Sequence, residues 1–269
     1  MAKELYQRWE RTQSHWNDDV FLAETANAFM KRRWRRLNRR VAEFCGAEAR
    51  RLARGLDLVD VGCAHADFEA WARPHLATYT GIEPSKALLP RDRSEGSAFR
   101  LLRGTAEKLP CGPASADLVL LKEVLDHCYD PAAVLKEAAR VLRPGGLVLL
   151  TLTNDHAWYK LLLPARTARI KAGQDDHLFF FHPGWVRDLL RDAGFTGLDG
   201  EDSHYLRLPH GIEARLGRLP ESWTDAIIAV SDAKGSLMLP GLGGSFWSWG
   251  RKPQPAAAAQ AAPRTGKRR

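Results

Sequence analysis

The spacing of apolar residues divides the chain into a helical first part and a longer part in which strands and helices alternate. Five apolar residues before position 55 recur at helical intervals: Met30, Trp34, Leu37, Val41 and Phe44. They form one stripe with arginines on the remaining faces, which predicts an amphipathic helix that packs on the domain after it. We therefore assign residues 1–54 to an N-terminal helical cap. In it, Trp9 and Trp16 are candidates for a lid over a pocket or for core packing.

The stretch LDLVDVGCAHADF, residues 56–68, opens the alternating part. Its apolar run ends in a glycine and small residues, a pattern that predicts a buried parallel strand, a tight turn and then a helix. In an open α/β sheet such a turn lies at the carboxyl end of the strand, where ligands bind.

Further strands and helices follow in regular order. DFEAWARPHL is predicted as a helix, TYTGIEPS and FRLLRGTAEKLP as strands with their loops, and ADLVLLKEVLDHCYD as a strand that runs into a helix. DPAAVLKEAARVL is a helix that Asp130 caps and Pro131 begins, and GLVLLTLTN is the fifth strand. This alternation predicts a parallel sheet with right-handed crossovers and helices on both faces.

The regular order ends after Asn154. Residues 155–182 are predicted as a helix and loop over the open end of the sheet, followed by a helix in HPGWVRDLLRDAGF. TGLDGEDSHYLRL and SFWSWGRKP are predicted strands, separated by an insertion at residues 209–245. The segment 253–269 is rich in Pro, Ala, Lys and Arg, which predicts a disordered basic tail.

The formal charge of +8 is concentrated in two segments. Residues 251–269 hold six basic residues and no acid, and KRRWRRLNRR at residues 31–40 holds seven. Such clusters bind phosphate or anionic lipid, or they form a solvated helix face. Peripheral membrane contact through these clusters is therefore left open. Binding to nucleic acid is disfavoured, since without residues 251–269 the chain holds 34 basic and 32 acidic residues, a net charge of +2.

Two further classes of protein are disfavoured by what the chain lacks. No apolar run reaches the length of a membrane span, and MAKELYQRWERTQ has no apolar core like that of a secretory signal, so we expect a cytoplasmic protein. The four cysteines form no CxxC pair and show no ligand spacing. We expect them to be free thiols, with neither a metal site nor disulfides.

The turn at residue 62 distinguishes between two kinds of cofactor. A dinucleotide site requires G-x-G-x-x-G, and starting at Gly62 the second and third glycine positions hold Ala64 and Asp67. Aspartate at the third position would repel a pyrophosphate, which disfavours a nicotinamide cofactor. A ligand without phosphate needs only small residues there, and Ala64 and Ala66 are small enough.

Five segments in order resemble the class I S-adenosylmethionine-dependent methyltransferases: VDVGCAHADF, YTGIEPS, RGTAEKLP, SADLVLLKEVLDHCYDP and RVLRPGGLVLLTLTN. The similarity covers roughly residues 55–200 and is strongest to the small-molecule and quinone-methylating, methyltransferase type 11-like branch. It implies a Rossmann-like, doubly wound α/β fold. The sheet would be mostly parallel and seven-stranded, with helices on both faces and an antiparallel last strand. It also implies S-adenosylmethionine as cofactor and a methyltransferase domain at residues 55–252.

The resemblance also implies residues for the cofactor site. Around the methionine part of the cofactor it places the residues of the first turn: Asp60, Gly62, Cys63, Ala64 and His65. Glu83, which Pro84 follows, takes the position of an acid that accepts both ribose hydroxyls, a role that suits the two oxygens of a carboxylate.

Two later segments complete the implied site. The adenine loop corresponds to Thr105, Ala106 and Glu107, and the residues beside the transferable methyl correspond to Leu121, Lys122 and Glu123. The chain departs from the family where Ala64 and Ala66 replace glycines and where Thr105 replaces an aspartate. These changes leave the tightness of cofactor binding open.

A sulfonium methyl is already activated, so the protein must mainly align an acceptor, and a base is needed only if the acceptor loses a proton. Candidate catalytic residues are His127, placed one helical turn after Glu123, and His177 and His182 in the segment DDHLFFFHP; His156 is a further candidate. We expect methyl transfer to O, N or C of a small, aromatic or amphipathic metabolite.

Two other functions stay open. The basic clusters would suit an RNA acceptor, although the chain has no N/D-P-P-Y/F tetrapeptide after the fourth strand. The altered glycines would suit a methyltransferase-like module that binds a ligand or partner without catalysis.

Overall fold

The structure is a computed structural model. It describes residues 2–13, 28–89, 91–96, 98–162, 177–206 and 210–254, together with the isolated positions 164, 165, 168 and 172. The strands are β1 Leu56–Val61, β2 Leu76–Glu83, β3 Arg93–Glu95, β4 Phe99–Arg103, β5 Ala116–Lys122, β6 Leu142–Thr153, β7 Thr196–Ser203 and β8 Ser245–Arg251. The α-helices are α1 Ala2–Gln13, α2 Ala28–Leu52, α3 Glu69–Ala72, α4 Pro131–Val141, α5 Trp158–Leu162, α6 Pro183–Asp192, α7 His210–Leu216 and α8 Glu221–Met238.

The described strands form one mixed sheet in the order β3-β4-β2-β1-β5-β6-β8-β7. Strands β4, β2, β1, β5 and β6 are parallel, and β8 is antiparallel to both β6 and β7, which confirms the mostly parallel sheet and its antiparallel last strand. The prediction of seven strands is wrong, because Arg93–Glu95 adds an eighth, antiparallel to β4. This strand of three polar residues is too short to show an alternating pattern.

Helices cover both faces of the sheet, as predicted. On one face, leucines of β1, β5 and β6 pack against Leu37, Val41 and Cys45 of α2. On the other face, valines of the same strands belong to a cluster with Val134 of α4 and Val186 of α6. Because successive side chains of a strand point to opposite faces, one set of strands builds both cores. The carboxyl ends of β1, β2, β4 and β5 then meet at one edge, where their loops can form a site.

Two predicted helices are shorter than the sequence pattern indicated. Helix α3 covers only Glu69–Ala72 and passes into a 3-10 turn, since Pro74 cannot continue an α-helix. After β5 the chain forms only a 3-10 turn at Leu125–His127. Glu123 has a φ of 55°, in the left-handed region, so no helix propagates from it. Glu123 and His127 therefore do not share a helix face, and that prediction is wrong.

The basic cluster of α2 is partly paired within the fold and partly solvated, with Lys31, Arg35 and Arg39 exposed. Its arginines form ion pairs with acids of the later part of the chain: Arg33 with Glu213, Arg35 with Glu221, Arg36 with Asp232 and Arg40 with Glu201. The side chain of Arg33 is only 1% exposed. The cluster therefore fixes α2 to β7, α7 and α8, which reduces the positive charge available to phosphate or lipid.

The start of α4 follows the sequence prediction. The side chain of Asp130 accepts a hydrogen bond from the backbone N–H of Ala133 at 3.0 Å, and Pro131 is the first helical residue.

All four cysteines are free thiols, and three of them are buried. Among the described residues, no helix combines the length and apolar character that crossing a membrane requires.

Several predictions fall outside the described residues. Trp16, the side chain of Met30, residues 255–269 of the predicted tail and much of the segment before His177 belong to this group. Arg251, at the end of β8, binds Glu48 of α2, with Nη2 2.5 Å from Oε1. The first residue of the basic segment 251–269 is thus bound to an acid of α2.

Candidate functional site

The turn after β1 is built from residues with left-handed backbone conformations. Gly62, Ala64 and Ala66 have φ angles of 71°, 47° and 62°. A Cβ on Gly62 would lie 2.4 Å from Cγ2 of Val124, so this position requires glycine for space as well as for conformation. The backbone N–H of Gly62 donates to Ile82 O at 2.7 Å. The turn is thereby closed tightly against the end of β2.

Glu83 connects this turn to the end of β2. Its Oε2 accepts a hydrogen bond from the backbone N–H of Ala64 at 3.0 Å, and its Oε1 accepts one from Ser85 at 2.9 Å. Burial raises the pKa of Glu83, and these two hydrogen bonds oppose that rise. Each carboxylate oxygen has two lone pairs, so each keeps one acceptor position. Pro84, half-buried, follows directly.

Asp60 lies beneath the turn, on the α2 side of the sheet. It is buried, and its Oδ2 accepts a hydrogen bond from the Tyr79 hydroxyl at 2.6 Å. Burial raises the pKa of Asp60, while the positive charge of Lys122 opposes that rise. The side chain of Asp60 thus interacts with Tyr79 and Lys122. Tyr79 was not predicted from the sequence.

Lys122 extends from the end of β5 towards α2. Its Nζ donates to Asn38 Oδ1 at 2.9 Å and lies 4.9 Å from the ring centroid of Phe68. Burial lowers the pKa of Lys122, and the charge of Asp60 opposes that change. The structure therefore places Lys122 in a contact between β5 and α2. No sequence pattern indicates Asn38, because the periodicity of α2 reports only its apolar stripe.

The loop after β4 is tied to the loop after β5. Glu107 Oε1 accepts a hydrogen bond from the backbone N–H of Tyr129 at 2.9 Å, and burial raises the pKa of this carboxyl group. Thr105 O accepts from the N–H of Lys108 at 3.2 Å, and Ala106 is buried in the core. Glu107 therefore fixes the two loops relative to each other.

Glu123 is a half-buried acid directly after β5, two residues after the fully buried Leu121. Its backbone N–H donates to Thr151 O at 2.9 Å. Burial raises the pKa of Glu123 to about 7, and the nearby charge of Asp126 adds to the rise. A hydrogen bond from the Thr153 hydroxyl to Glu123 Oε2, at 3.4 Å, opposes it. Glu123 thus belongs to an acidic region that continues to Asp126.

Two of the three predicted catalytic histidines converge on Asp126. His127 Nε2 lies 3.8 Å from Asp126 Oδ1, and His177 Nδ1 lies 3.4 Å from Asp126 Oδ2. The two imidazole rings meet edge to face, with centroids 4.6 Å apart. The backbone N–H of Leu178 donates to Asp126 O at 2.8 Å, which holds the two segments together. Asp126 was not predicted, although its position next to His127 was an available signal.

His182 belongs to a different pair. Its ring is stacked on that of His156, with centroids 4.2 Å apart and planes 5° from parallel. His182 Nδ1 accepts a hydrogen bond from the backbone N–H of Trp185 at 3.3 Å, which caps α6. Burial lowers the pKa of His182, and the neighbouring His156 lowers it further. The structure gives His182 a role in starting a helix and does not bring it into the Asp126 cluster.

Helix α1 contacts the loop after β5. The rings of Tyr6, Trp9 and Tyr129 lie with centroids 5.2 to 5.6 Å apart. Arg8 Nη2 donates to His177 O at 3.2 Å. Trp9 thus lies in an aromatic cluster on the same side of the molecule as His127 and His177. This position is compatible with the predicted lid over a pocket.

The remaining two predicted residues of the first turn differ in exposure. Cys63 is buried, and burial raises the pKa of its thiol, which makes it unreactive. His65 is exposed and lines a cavity of about 460 Å³, together with Tyr79, Arg93 and Phe99. That cavity borders β2 to β4, whereas the cluster of Asp126, His127 and His177 follows β5. His65 is therefore separate from the acid and the two histidines.

Comparison with known proteins is consistent across sequence and structure. Residues 59–150 match a family model described as a methyltransferase domain. The chain is similar to a ubiquinone biosynthesis O-methyltransferase of Colwellia psychrerythraea, with 27% identity over 159 residues that cover 56% of this chain and 65% of that protein. A ubiquinone biosynthesis O-methyltransferase of Aeromonas salmonicida is 28% identical over 173 residues, 61% of this chain and 72% of that protein.

The chain thus spans slightly less than two thirds of the first of these relatives. Among solved structures, an S-adenosylmethionine-dependent methyltransferase of Thermotoga maritima aligns over 91% of this chain and 99% of its own. The TM-score is 0.56 and the identity 20%, a similarity that establishes the fold.

Proposed function

We propose that this chain is an S-adenosylmethionine-dependent methyltransferase of class I, and that it methylates an oxygen, nitrogen or carbon atom of a small aromatic or amphipathic metabolite. The observation that carries the proposal is the position of Glu83. Its carboxylate ends β2 and is held by the turn after β1, at the sheet edge where this fold binds ligands. When bound, S-adenosylmethionine supplies a sulfonium methyl group that a nucleophile displaces in line, leaving S-adenosylhomocysteine.

The residues present fit this cofactor. Each oxygen of Glu83 keeps one lone pair beyond its backbone hydrogen bond, as two ribose hydroxyls require. We assign the turn at Gly62 and Ala64 to the methionine part and the loop at Thr105 to the adenine. Asp60 and Lys122 act beneath the turn as positioning residues, because other protein groups already engage both side chains.

The acceptor is assigned to the side of β5. The aromatic cluster of Tyr6, Trp9 and Tyr129 offers flat apolar surface there, beside the polar groups of Asp126, His127 and His177. Small-molecule sites combine apolar walls with a few polar groups in this way. A proton released by the acceptor would pass to solvent on this side of the site.

Calorimetric titration with S-adenosylmethionine tests the cofactor site. Glu83→Gln should weaken binding about 10- to 100-fold, since hydrogen bonds to a charged group contribute roughly 1.5–3 kcal/mol. Glu43→Gln, which changes an exposed acid on α2, is the matched control and should bind as the wild type does. Unchanged affinity in Glu83→Gln would refute the assignment of this residue.

Formation of S-adenosylhomocysteine tests turnover. Wild-type protein supplied with S-adenosylmethionine and a panel of hydroxylated and amino-substituted aromatic compounds should produce S-adenosylhomocysteine with at least one of them. Tight cofactor binding without turnover on this panel or on a cell extract would favour the non-catalytic module instead.

A further inference from the structure

Asp126, His127 and His177 present three ligand atoms of the kinds that transition metals bind. One carboxylate oxygen and one nitrogen from each imidazole all lie within 4.8 Å of one another. The shortest separation, from His177 Nδ1 to Asp126 Oδ2, is 3.4 Å. Ligand atoms around a tetrahedral zinc ion are separated by roughly 3.3 Å, given metal–nitrogen distances of about 2.0–2.1 Å. Small side-chain rotations would therefore bring all three atoms to one cation.

The state of Asp126 supplies a second observation. Its side chain is 6% exposed, and its Oδ1 has no hydrogen-bond partner among the described residues. A buried carboxylate oxygen without a donor is costly, and such atoms are normally satisfied by protein, water or an ion. His127 Nε2, at 3.8 Å, is too distant to donate to it. A cation between these atoms would satisfy the oxygen and would balance the buried negative charge.

We propose that Asp126, His127 and His177 form a binding site for a divalent first-row transition cation, with zinc as its representative. Two imidazoles and one carboxylate suit Zn²⁺ and its neighbours, whereas Mg²⁺ and Ca²⁺ prefer oxygen ligands alone. Three protein ligands leave at least one coordination position open, which is the arrangement of catalytic metal sites.

This site also specifies the acceptor, a step that rests on the proposed function. A hydroxyl oxygen of the acceptor bound at the open position would have a lowered pKa and would release its proton to solvent. A lone pair of that oxygen then forms the bond to the sulfonium methyl carbon. The carbon–sulfur bond breaks with its electrons passing to sulfur, which yields S-adenosylhomocysteine. The substrate class is therefore a phenol or another hydroxylated compound.

Titration of the chelator-treated full chain with Zn²⁺ tests the site directly. Calorimetry should show one site per chain, and Asp126→Asn or His177→Gln should each weaken binding by at least about 100-fold, since changes merely adjacent to metal ligands already cost 10- to 100-fold. His75→Gln, in the 3-10 turn after α3, is the control and should bind as the wild type does. Mg²⁺ should give no comparable heat.

Two measurements keep the outcome clear. Thermal unfolding in the presence of chelator shows whether each variant is folded. If Asp126→Asn does not fold, His177→Gln alone tests zinc binding. Absorption of the Co²⁺-loaded protein separates this site from the cysteines, because a thiolate ligand adds a charge-transfer band. Absence of zinc binding in the wild type, or unchanged affinity in both variants, would overturn the site. Zinc binding without S-adenosylmethionine binding would keep the site and refute the proposed function.

Discussion

Single residues in the turn after β1 show how the chain forms a glycine-type loop with few glycines. Gly62 occupies the one position where a Cβ would collide with Val124. At Ala64 the left-handed conformation is held by an L-residue with φ of 47°. Its N–H is fixed by Glu83 Oε2, so the hydrogen bond offsets the strain. The backbone shape is kept although the usual residue is absent.

Replacing Ala64 by glycine should therefore stabilise the protein. An L-residue in the left-handed region costs the folded state about 1–2 kcal/mol, and glycine removes this cost. Glycine also makes the unfolded chain more flexible, which costs about 0.5–1 kcal/mol of stability. We therefore expect the free energy of unfolding to rise by roughly 0.5–1 kcal/mol. Chemical denaturation measures this change. Removing the methyl should also tighten S-adenosylmethionine binding, which calorimetry measures.

Ala114 offers a matched control, since it also has a positive φ, 49°, but lies in an exposed loop before β5. Ala114→Gly should raise stability by a similar amount without altering cofactor affinity. A loss of stability in Ala64→Gly would contradict the strain argument.

At the scale of elements, α2 is held to the later part of the chain through a buried ion pair. Arg33 and Glu213 are 1% and 7% exposed, and Arg33 also donates to Leu206 O. Removing one partner of a buried pair costs about 3–5 kcal/mol, because the other charge stays buried. Arg33→Met should therefore lower the free energy of unfolding by about 3 kcal/mol or more, measured by chemical denaturation.

The exposed pair of Arg35 and Glu221 is the matched comparison, with both side chains more than half exposed. Arg35→Met should cost less than about 1 kcal/mol. The double variant Arg33→Met, Glu213→Leu should recover most of the loss, since it buries no unpaired charge. Equal costs for the two arginines would show that burial is not the source of the effect.

The elements also show what sequence patterns can and cannot predict. The buried strands and α4 follow from apolar runs and from the capping pair Asp130 and Pro131, which are local signals. The 3-10 turn after β5 depends on the left-handed conformation of Glu123, which a helical pattern hides. The meeting of Asp126 with His177 depends on tertiary folding between distant segments. Secondary structure and single candidate residues were therefore predictable from the sequence, but contacts between distant segments were not.

Across the whole molecule, the edge of the sheet formed by the carboxyl ends of the parallel strands differs from the edge formed by their amino ends. The carboxyl edge carries Glu83, Glu123 and the Asp126 cluster, and burial raises the pKa of both Glu83 and Glu123 there. At the amino edge, Asp117 at the start of β5 accepts hydrogen bonds from Arg54 at 2.7 Å and from Arg143 at 3.0 Å. Arg54 donates a second bond at 2.8 Å, and the backbone N–H of Asp57 donates one at 3.0 Å. The amino edge thus joins α2, β1, β5 and β6 by satisfied charges.

This arrangement predicts how stability changes with pH. Burial alone would raise the pKa of Asp117, but the hydrogen bonds from Arg54, Asp57 and Arg143 outweigh burial and hold it below its usual value. A lowered native pKa stabilises the fold above the unfolded value of about 4, and this contribution disappears as pH falls through the native pKa. Asp117→Asn should thus cost about 2 kcal/mol at pH 7, as for hydrogen bonds to a charged group. In denaturation series at decreasing pH, its difference from the wild type should shrink below about pH 4. Asp192→Asn, exposed at the end of α6, should show no such trend. A difference that stayed constant with pH would mean that Asp117 stabilises the amino edge by shape and not by charge.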